Sequence, residues 1–409
     1  MVTSELLALF TILTCEVIYV NADWYEIPLL PVPNGYAHTI YIGGQEFTVL
    51  VTLRNSILWI PSINCTGCGS RHKFDPSKSV SFLNDGTEWR LESWHGQVEG
   101  VLGIDNVQSL NVSGGLDTIS LHCQFGMVTK MTVHENLQAD GMLGLWDFST
   151  QASRPFIYQL KDLSEPWFVI NLSQKPEVGA KGSVQYGWRH KFGCNHKPLL
   201  RYNYLPEAPY QFQVKITMGS FDPHMLFLAI PDLIPHITGL PELIDGIASC
   251  AGAEYINGSY EFDCKDTQSV PDLIITYGQV PLRIASDKLI KKIKDRCVLA
   301  LAIKSGVAFG AEIYLGAPLF EQYCVSVDFS AKSVGFAKVD TSTPATTNPA
   351  NSTPTTTTSA NATPTTITSA NATPTTTTSA NSTFPTSWNT RLEPSLLALL
   401  MLPLLSLFI

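Results

Sequence analysis

Few side chains in this sequence stand at spacings that could do chemistry. Cys65-Thr-Gly-Cys68 is one such group. Two thiols at this spacing can close a small disulfide, exchange disulfides or supply half of a zinc site. The nine histidines show no His-Glu-x-x-His pattern and no second Cys-x-x-Cys occurs, so neither a metal site nor a cofactor is expected. Gly-x-Ser-x-Gly and the phosphate-binding glycine loop do not occur either. Two charged residues interrupt apolar runs. Arg54 breaks Val51-Thr52-Leu53-Arg54-Asn55-Ser56-Ile57-Leu58-Trp59, and Asp232 follows a proline in Leu228-Ala-Ile-Pro231-Asp232-Leu-Ile-Pro235. A carboxylate at Asp232 could work as a general base, or it could cap a turn after proline. Arg54 could pair with a ligand carboxylate, or be solvated.

The elements that must position these residues read mostly as strands. Tyr36-Ala-His-Thr-Ile-Tyr41 leads into Gly43-Gly44, and Phe47-Thr-Val-Leu-Val51 follows. Short β-rich runs of this kind, cut by Gly, Pro, Asn and Asp, continue to about Asp340 and argue for an all-β architecture. Helical patterns are few. One is expected over Pro241 to Ala251. A second is expected over Ser286 to Arg296, with Ser286 or Asp287 as cap and Leu289, Ile290 and Ile293 on one face.

The order of motifs resembles the pepsin-like aspartic proteases. Ser56-Ile-Leu-Trp59-Ile-Pro-Ser62 is similar to the stretch after that family's first catalytic loop, Asp-Thr-Gly-Ser-Ser-x-Leu-Trp-Val-Pro-Ser. Glu99-Gly-Val-Leu-Gly103-Ile-Asp105-Asn-Val107 resembles the strand leaving the flap. Asp140-Gly-Met-Leu-Gly144-Leu145 resembles Asp-Gly-Ile-Leu-Gly-Leu, which supports the first loop. Gly182 to Gly187, Val270 to Tyr277, Tyr314-Leu-Gly316, Gln322 to Asp328 and Ser333 to Ala337 follow in family order. The resemblance implies two β-rich lobes with a peptide-binding cleft between them, each lobe giving one aspartate.

At the catalytic positions themselves the sequence departs from that pattern. Counting back from Trp59 puts Thr52 where the first aspartate belongs. A threonine hydroxyl does not ionise in the working range, so Thr52 cannot be the base of a carboxylate pair sharing one proton. Arg54 stands where the family has glycine and is expected to change the loop or turn out into the cleft. Aligning the second lobe on Thr238-Gly239 puts Pro231 at the second aspartate, and a one-residue slip puts Asp232 there. At the flap tip, Ser93 replaces the family's tyrosine with Trp94 beside it, a candidate for lining a ligand site. With the leader ending at Ala22 and the first barrel strand expected near Gly35, no basic prosegment is expected between them.

The ends read as processing signals. Residues 1–22 form an apolar leader with small residues at Val20-Asn21-Ala22, and Cys15 leaves with it. Residues 341–390 consist almost entirely of Thr, Ser, Pro, Ala and Asn with a ten-residue period, too poor in apolar surface to fold and consistent with an O-glycosylated stalk. Residues 391–409 end in an apolar run that fits a GPI-anchor signal, with Asn381 the candidate attachment residue. Sequons stand at Asn64, Asn111, Asn171 and Asn257 in the folded part, where surface placement is expected, and at Asn351, Asn361, Asn371 and Asn381 in the repeats. The family resemblance implies disulfides Cys65–Cys68 and Cys264–Cys297. The pairing of Cys123, Cys194, Cys250 and Cys324 stays open.

The organisation expected is a leader, an N-terminal lobe over 23–190, a C-terminal lobe over 191–340, the stalk and the anchor signal. A formal charge of −9 with no basic stripe argues against nucleic acid. The expected function is a catalytically inactive pepsin-like glycoprotein on the outer face of the plasma membrane, held by a lipid anchor, with secretion as second choice. Its cleft would take a peptide or protein ligand. The alternatives are an active aspartic endopeptidase with a non-standard site, and a mucin-like surface coat.

Overall fold

The computed structural model describes residues 24–339 apart from 94–95, 134–136, 148–153, 164, 174–181, 188–193, 196 and 305–309. The leader, stalk and anchor signal lie outside the described residues, as do Asn351, Asn361, Asn371, Asn381 and Trp94.

Strands dominate, as the period-2 patterns require. An eight-stranded sheet runs from Leu30–Val32 through Gly35–Ile42 and Gln45–Thr52 to Gly141–Gly144. It continues through Leu58–Thr66, Leu116–Val133 and Gly96–Leu110 to Leu83–Ser93. A seven-stranded sheet holds Val280–Ile284, Leu273–Tyr277, Phe212–Met218, Leu226–Pro231, Ile313–Leu315, Ile237–Gly239 and Leu301–Ile303 in that order. A six-stranded sheet draws on both halves of the sequence, pairing Trp167–Asn171 with Tyr323–Asp328. This is the all-β, two-lobed pepsin-like arrangement. Buried aromatics such as Phe47, Phe74, Phe125, Phe168, Phe320 and Phe336 belong to one continuous core. A smaller cluster with Trp59, Trp89, Leu102 and Met142 lies against the hairpin of Leu83–Ser93 and Gly96–Leu110.

The helix at Pro241–Cys250 forms as its pattern indicates. Proline opens it and Leu243, Ile244, Ile247 and Ala248 face the core. The second helical expectation is corrected. Only Ser286–Leu289 is helical, and Ile290–Ile293 and Arg296–Leu299 form a hairpin instead. The N-cap is Ala285, and the Ser286 N–H donates to Asp272 Oδ1 at 2.9 Å, so neither Ser286 nor Asp287 caps. Two forces override the 3.6-residue pattern. Arg296–Leu299 pairs with the strand Ser259–Phe262, and Cys297 in it is tied to Cys264.

Disulfides join Cys65 to Cys68, Cys264 to Cys297 and Cys194 to Cys324, the last across 130 residues. Cys123 and Cys250 are free thiols; burial pushes Cys123 up to about 12, so it stays protonated and inert. Of the sequon asparagines, Asn64 is exposed and Asn257 caps an exposed hairpin, where Asn257 and Gly258 both take φ > 0. Asn111 is half-buried, its Oδ1 accepting from Ser113 N and Gly115 N. Asn171 is fully buried, its Nδ2 3.8 Å from Cys194 Sγ, which corrects the surface placement expected for it. A side chain enclosed in a sheet beside a disulfide has no room for a glycan.

Candidate functional site

Each lobe builds its half of the site in the same way. In the first, Gly141–Gly144 inserts between Gln45–Thr52, to which it is parallel, and Leu58–Thr66, to which it is antiparallel. In the second, Ile313–Leu315 inserts likewise between Leu226–Pro231 and Ile237–Gly239. The loop that spans each inserted strand projects its first residues toward the other lobe.

The ladder registers settle which residue heads each loop. Thr52 lies opposite Gly144. Pro231 lies opposite Leu315, so the next residue, Asp232, stands at the level of Gly316. Gly144 and Gly316 are matched by their surroundings. A Cβ on Gly144 would meet Asn55 O at 2.2 Å, and one on Gly316 would meet His236 O at 2.0 Å. Only glycine admits so close a backbone approach. Asp232, and not Pro231, is therefore the counterpart of Thr52. The second loop is one residue shorter than the first, which is why an ungapped alignment on Thr238-Gly239 lands on proline.

Thr52 and Asp232 meet. The Thr52 hydroxyl donates to Asp232 Oδ1 at 3.4 Å, and that oxygen also accepts the N–H groups of Leu53 at 3.0 Å and Leu233 at 2.9 Å. Thr52 Oγ1 in turn accepts the Arg54 N–H at 3.2 Å. Arg54 Nε makes an ion pair with Asp232 Oδ2. The carboxylate is 1 % exposed and the Arg54 side chain 15 %, so this charge pair is held out of water. Arg54 thus neither stays solvated nor turns out into the cleft, as the sequence suggests it should; the nearest uncompensated carboxylate draws it inward.

Two residues that the sequence reading does not place among the site candidates complete the group. The Arg54 guanidinium lies over the Tyr314 ring, 5.1 Å from its centroid, and Lys304 Nζ lies over the same ring at 5.4 Å. Burial lowers Lys304, the Arg54 charge lowers it further, and Glu312 opposes both. Burial raises Tyr314, so its phenol stays neutral near pH 7. Lys304 Nζ donates to Ala311 O at 2.9 Å. The only signal that could have pointed to Tyr314 is its place two residues before Gly316, the second close-approach glycine.

At the flap, Ser93 ends its strand opposite Gly96. Among the described residues no cluster of three or more His, Cys, Asp or Glu could hold a metal ion.

Two inserted strands with matched glycines, heading two loops that meet at Thr52 and Asp232, form the frame whose motifs the sequence displays in order. The sequence matches the eukaryotic aspartyl protease family over residues 35–339. The chain belongs to that family. It is 29% identical to aspartic protease 6 of Caenorhabditis elegans over 319 residues, which cover 74% of this chain and 81% of that protein. It is 29% identical to cathepsin E of Oryctolagus cuniculus over 61% of this chain and 65% of that one. Pepsin A of Sus scrofa is 26% identical over 74% of this chain and 81% of its own length. Within the family frame, the floor of this chain carries Thr52, Asp232 and Arg54 as a hydrogen-bonded, charge-paired unit.

Proposed function

We propose that this aspartyl protease family member is catalytically inactive and serves as a cell-surface glycoprotein whose cleft binds peptide or protein. One observation carries the reading: Asp232, the single carboxylate at the two floor positions, is paired with Arg54 and faces a threonine. Acid proteolysis needs one carboxyl as base on a water and a second as acid toward the carbonyl. Thr52 can supply neither, and the guanidinium lies against the Asp232 oxygen that a water would have to reach. A residual peptidase using Asp232 is the second reading, favoured by the family and by the position of Asp232.

The full chain purified from secreting eukaryotic cells is expected to show no turnover of unfolded protein substrate between pH 2 and 7. Pepstatin-sensitive cleavage above the level of a mock purification would overturn the inactive reading.

The surface placement rests on the Thr/Ser/Pro repeats and the apolar C-terminus. Phosphatidylinositol-specific phospholipase is expected to shed the protein from intact cells. Retention, while a control anchored protein is released, would count against the lipid anchor and favour another mode of attachment.

A further inference from the structure

Cys65-Thr-Gly-Cys68 takes no part in the cleft floor, yet three features suit its disulfide to thiol chemistry. The first is loop length. Cys65 and Cys68 are 3 residues apart, against 33 for Cys264–Cys297 and 130 for Cys194–Cys324. A crosslink restrains the unfolded chain by roughly the three-halves power of the loop it closes. On that ground Cys65–Cys68 is about 30-fold easier to open at equilibrium than the next shortest bridge. The second is access. Cys65 is 8 % exposed and Cys68 1 %, and Thr66 and Gly67 between them are exposed. An attacking sulfur therefore reaches Cys65 first. The third is charge. Lys73 Nζ donates to Cys65 O at 3.4 Å, which puts a cation at the residue under attack. Arg71 Nη1 donates to Cys68 O at 2.9 Å, which puts a second cation at the other cysteine. Cations beside a cysteine favour its thiolate, and a stabilised thiolate leaves faster.

We infer that Cys65–Cys68 is an exchangeable disulfide, opened by the thiolate of a dithiol that attacks Cys65 Sγ. The incoming sulfur bonds to Cys65 Sγ as the Cys65–Cys68 bond breaks, and the electron pair of that bond leaves on Cys68 Sγ. The donor's second thiol, as thiolate, then attacks the donor sulfur in the mixed disulfide and displaces Cys65. The dithiol is oxidised to a disulfide, and the two cysteines take up the two protons that the donor thiols lost. The effect reaches the cleft through Arg71. Its Nε donates to Ala139 O at 3.1 Å and its Nη2 to Leu137 O at 2.8 Å. The Cys68 loop is thereby tied to the segment that leads into Gly141–Gly144, the strand whose last residue lies opposite Thr52. Opening the disulfide loosens the loop end of that tie.

The test uses the full chain, its accessible free thiols first blocked with iodoacetamide. Samples are equilibrated over a series of reduced-to-oxidised dithiothreitol ratios. Opened cysteines are labelled with N-ethylmaleimide and mapped by mass spectrometry. Cys65 and Cys68 are expected to half-open at a ratio at least about tenfold lower than either other pair, on the scale set by loop length. Opening together with or after Cys264–Cys297 or Cys194–Cys324 overturns the exchangeable disulfide. The point of attack is read from Cys68→Ser and Cys65→Ser, each of which leaves one thiol of the pair. Cys65 in the first is expected to react with dithiodipyridine about tenfold faster than Cys68 in the second, and equal or reversed rates overturn attack at Cys65. Amide hydrogen exchange over residues 137–144 is expected to quicken once the parent chain is opened, and unchanged exchange there overturns the link to the cleft. The redox series and the exchange measurement use only the parent chain, so misfolding of a variant cannot mask them.

Discussion

Asp232→Ala is expected to destabilise the fold by about 3–5 kcal/mol, the scale for breaking a buried ion pair by removing one partner. That is a large share of the roughly 5–15 kcal/mol that holds a domain together. The cause is what the change leaves behind. Arg54 keeps its charge at 15 % exposure, and the N–H groups of Leu53 and Leu233 and the Thr52 hydroxyl lose their shared acceptor. The pair itself need contribute little net stability, because two charges had to be desolvated to form it. The double variant Arg54→Met with Asp232→Asn is therefore expected to recover most of the loss. Methionine keeps the packing against Tyr314, and the asparagine oxygen still accepts from the two backbone N–H groups. Urea unfolding followed by tryptophan fluorescence measures all three proteins. Equal midpoints for parent and Asp232→Ala would show that the ion pair does not form. The sign is informative about function too. Catalytic groups are commonly held at a cost to stability, so a large loss on removing Asp232 would fit the proposed non-catalytic role of the Arg54–Asp232 pair.

Acid is expected to weaken this protein well before its carboxylates titrate. His38 is 1 % exposed, with Nε2 2.9 Å from Ser109 Oγ and Nδ1 3.3 Å from Pro28 O. Burial pushes its imidazole down to about 3. His236, in the second loop, is pushed down to about 4, first by burial and then by the Lys291 charge. Unfolded, both would titrate near 6.5. Below that value the unfolded chain takes up protons that the native state refuses, so stability falls as pH falls. Their stabilising effect is complete above about pH 6.5 and is lost progressively toward the folded values of about 3 and 4. At about 1.36 kcal/mol per pH unit, each costs about 2 kcal/mol by pH 5, and the two together about 4 kcal/mol. The urea midpoint should drop steeply from pH 7 to pH 5, and the His38→Gln, His236→Gln double variant should flatten that slope. Equal midpoints at pH 7 and pH 5 would exclude this account. A fold losing stability over this range is poorly suited to the acid conditions in which a shared-proton carboxyl pair works.

Much of the frame is legible in the sequence because it depends on local rules. Strand alternation and turn residues mark the sheets. Proline followed by an apolar stripe marks the helix at Pro241–Cys250. Asp140-Gly-Met-Leu-Gly144 and Tyr314-Leu-Gly316 mark the inserted strands, since glycine is the one residue that fits there. Thr52 is equally plain, because an unbroken count from Trp59 reaches it.

Other features depend on what meets across the chain. A loop shortened by one residue leaves no trace until the ladder Pro231 opposite Leu315 fixes the register, so only the structure selects Asp232 over Pro231. Ile290 and Ile293 fit a helical face as well as a hairpin, and pairing with the strand beside Cys297 decides for the hairpin. Asn171 carries a sequon like any surface asparagine and becomes enclosed only when its strand pairs on both sides. The sequence alone determined the family frame and the threonine in its first loop. The tertiary structure alone decided that Arg54 turns inward, because the carboxylate it pairs with lies 178 residues further along the chain and is brought within reach only when the two lobes close on each other.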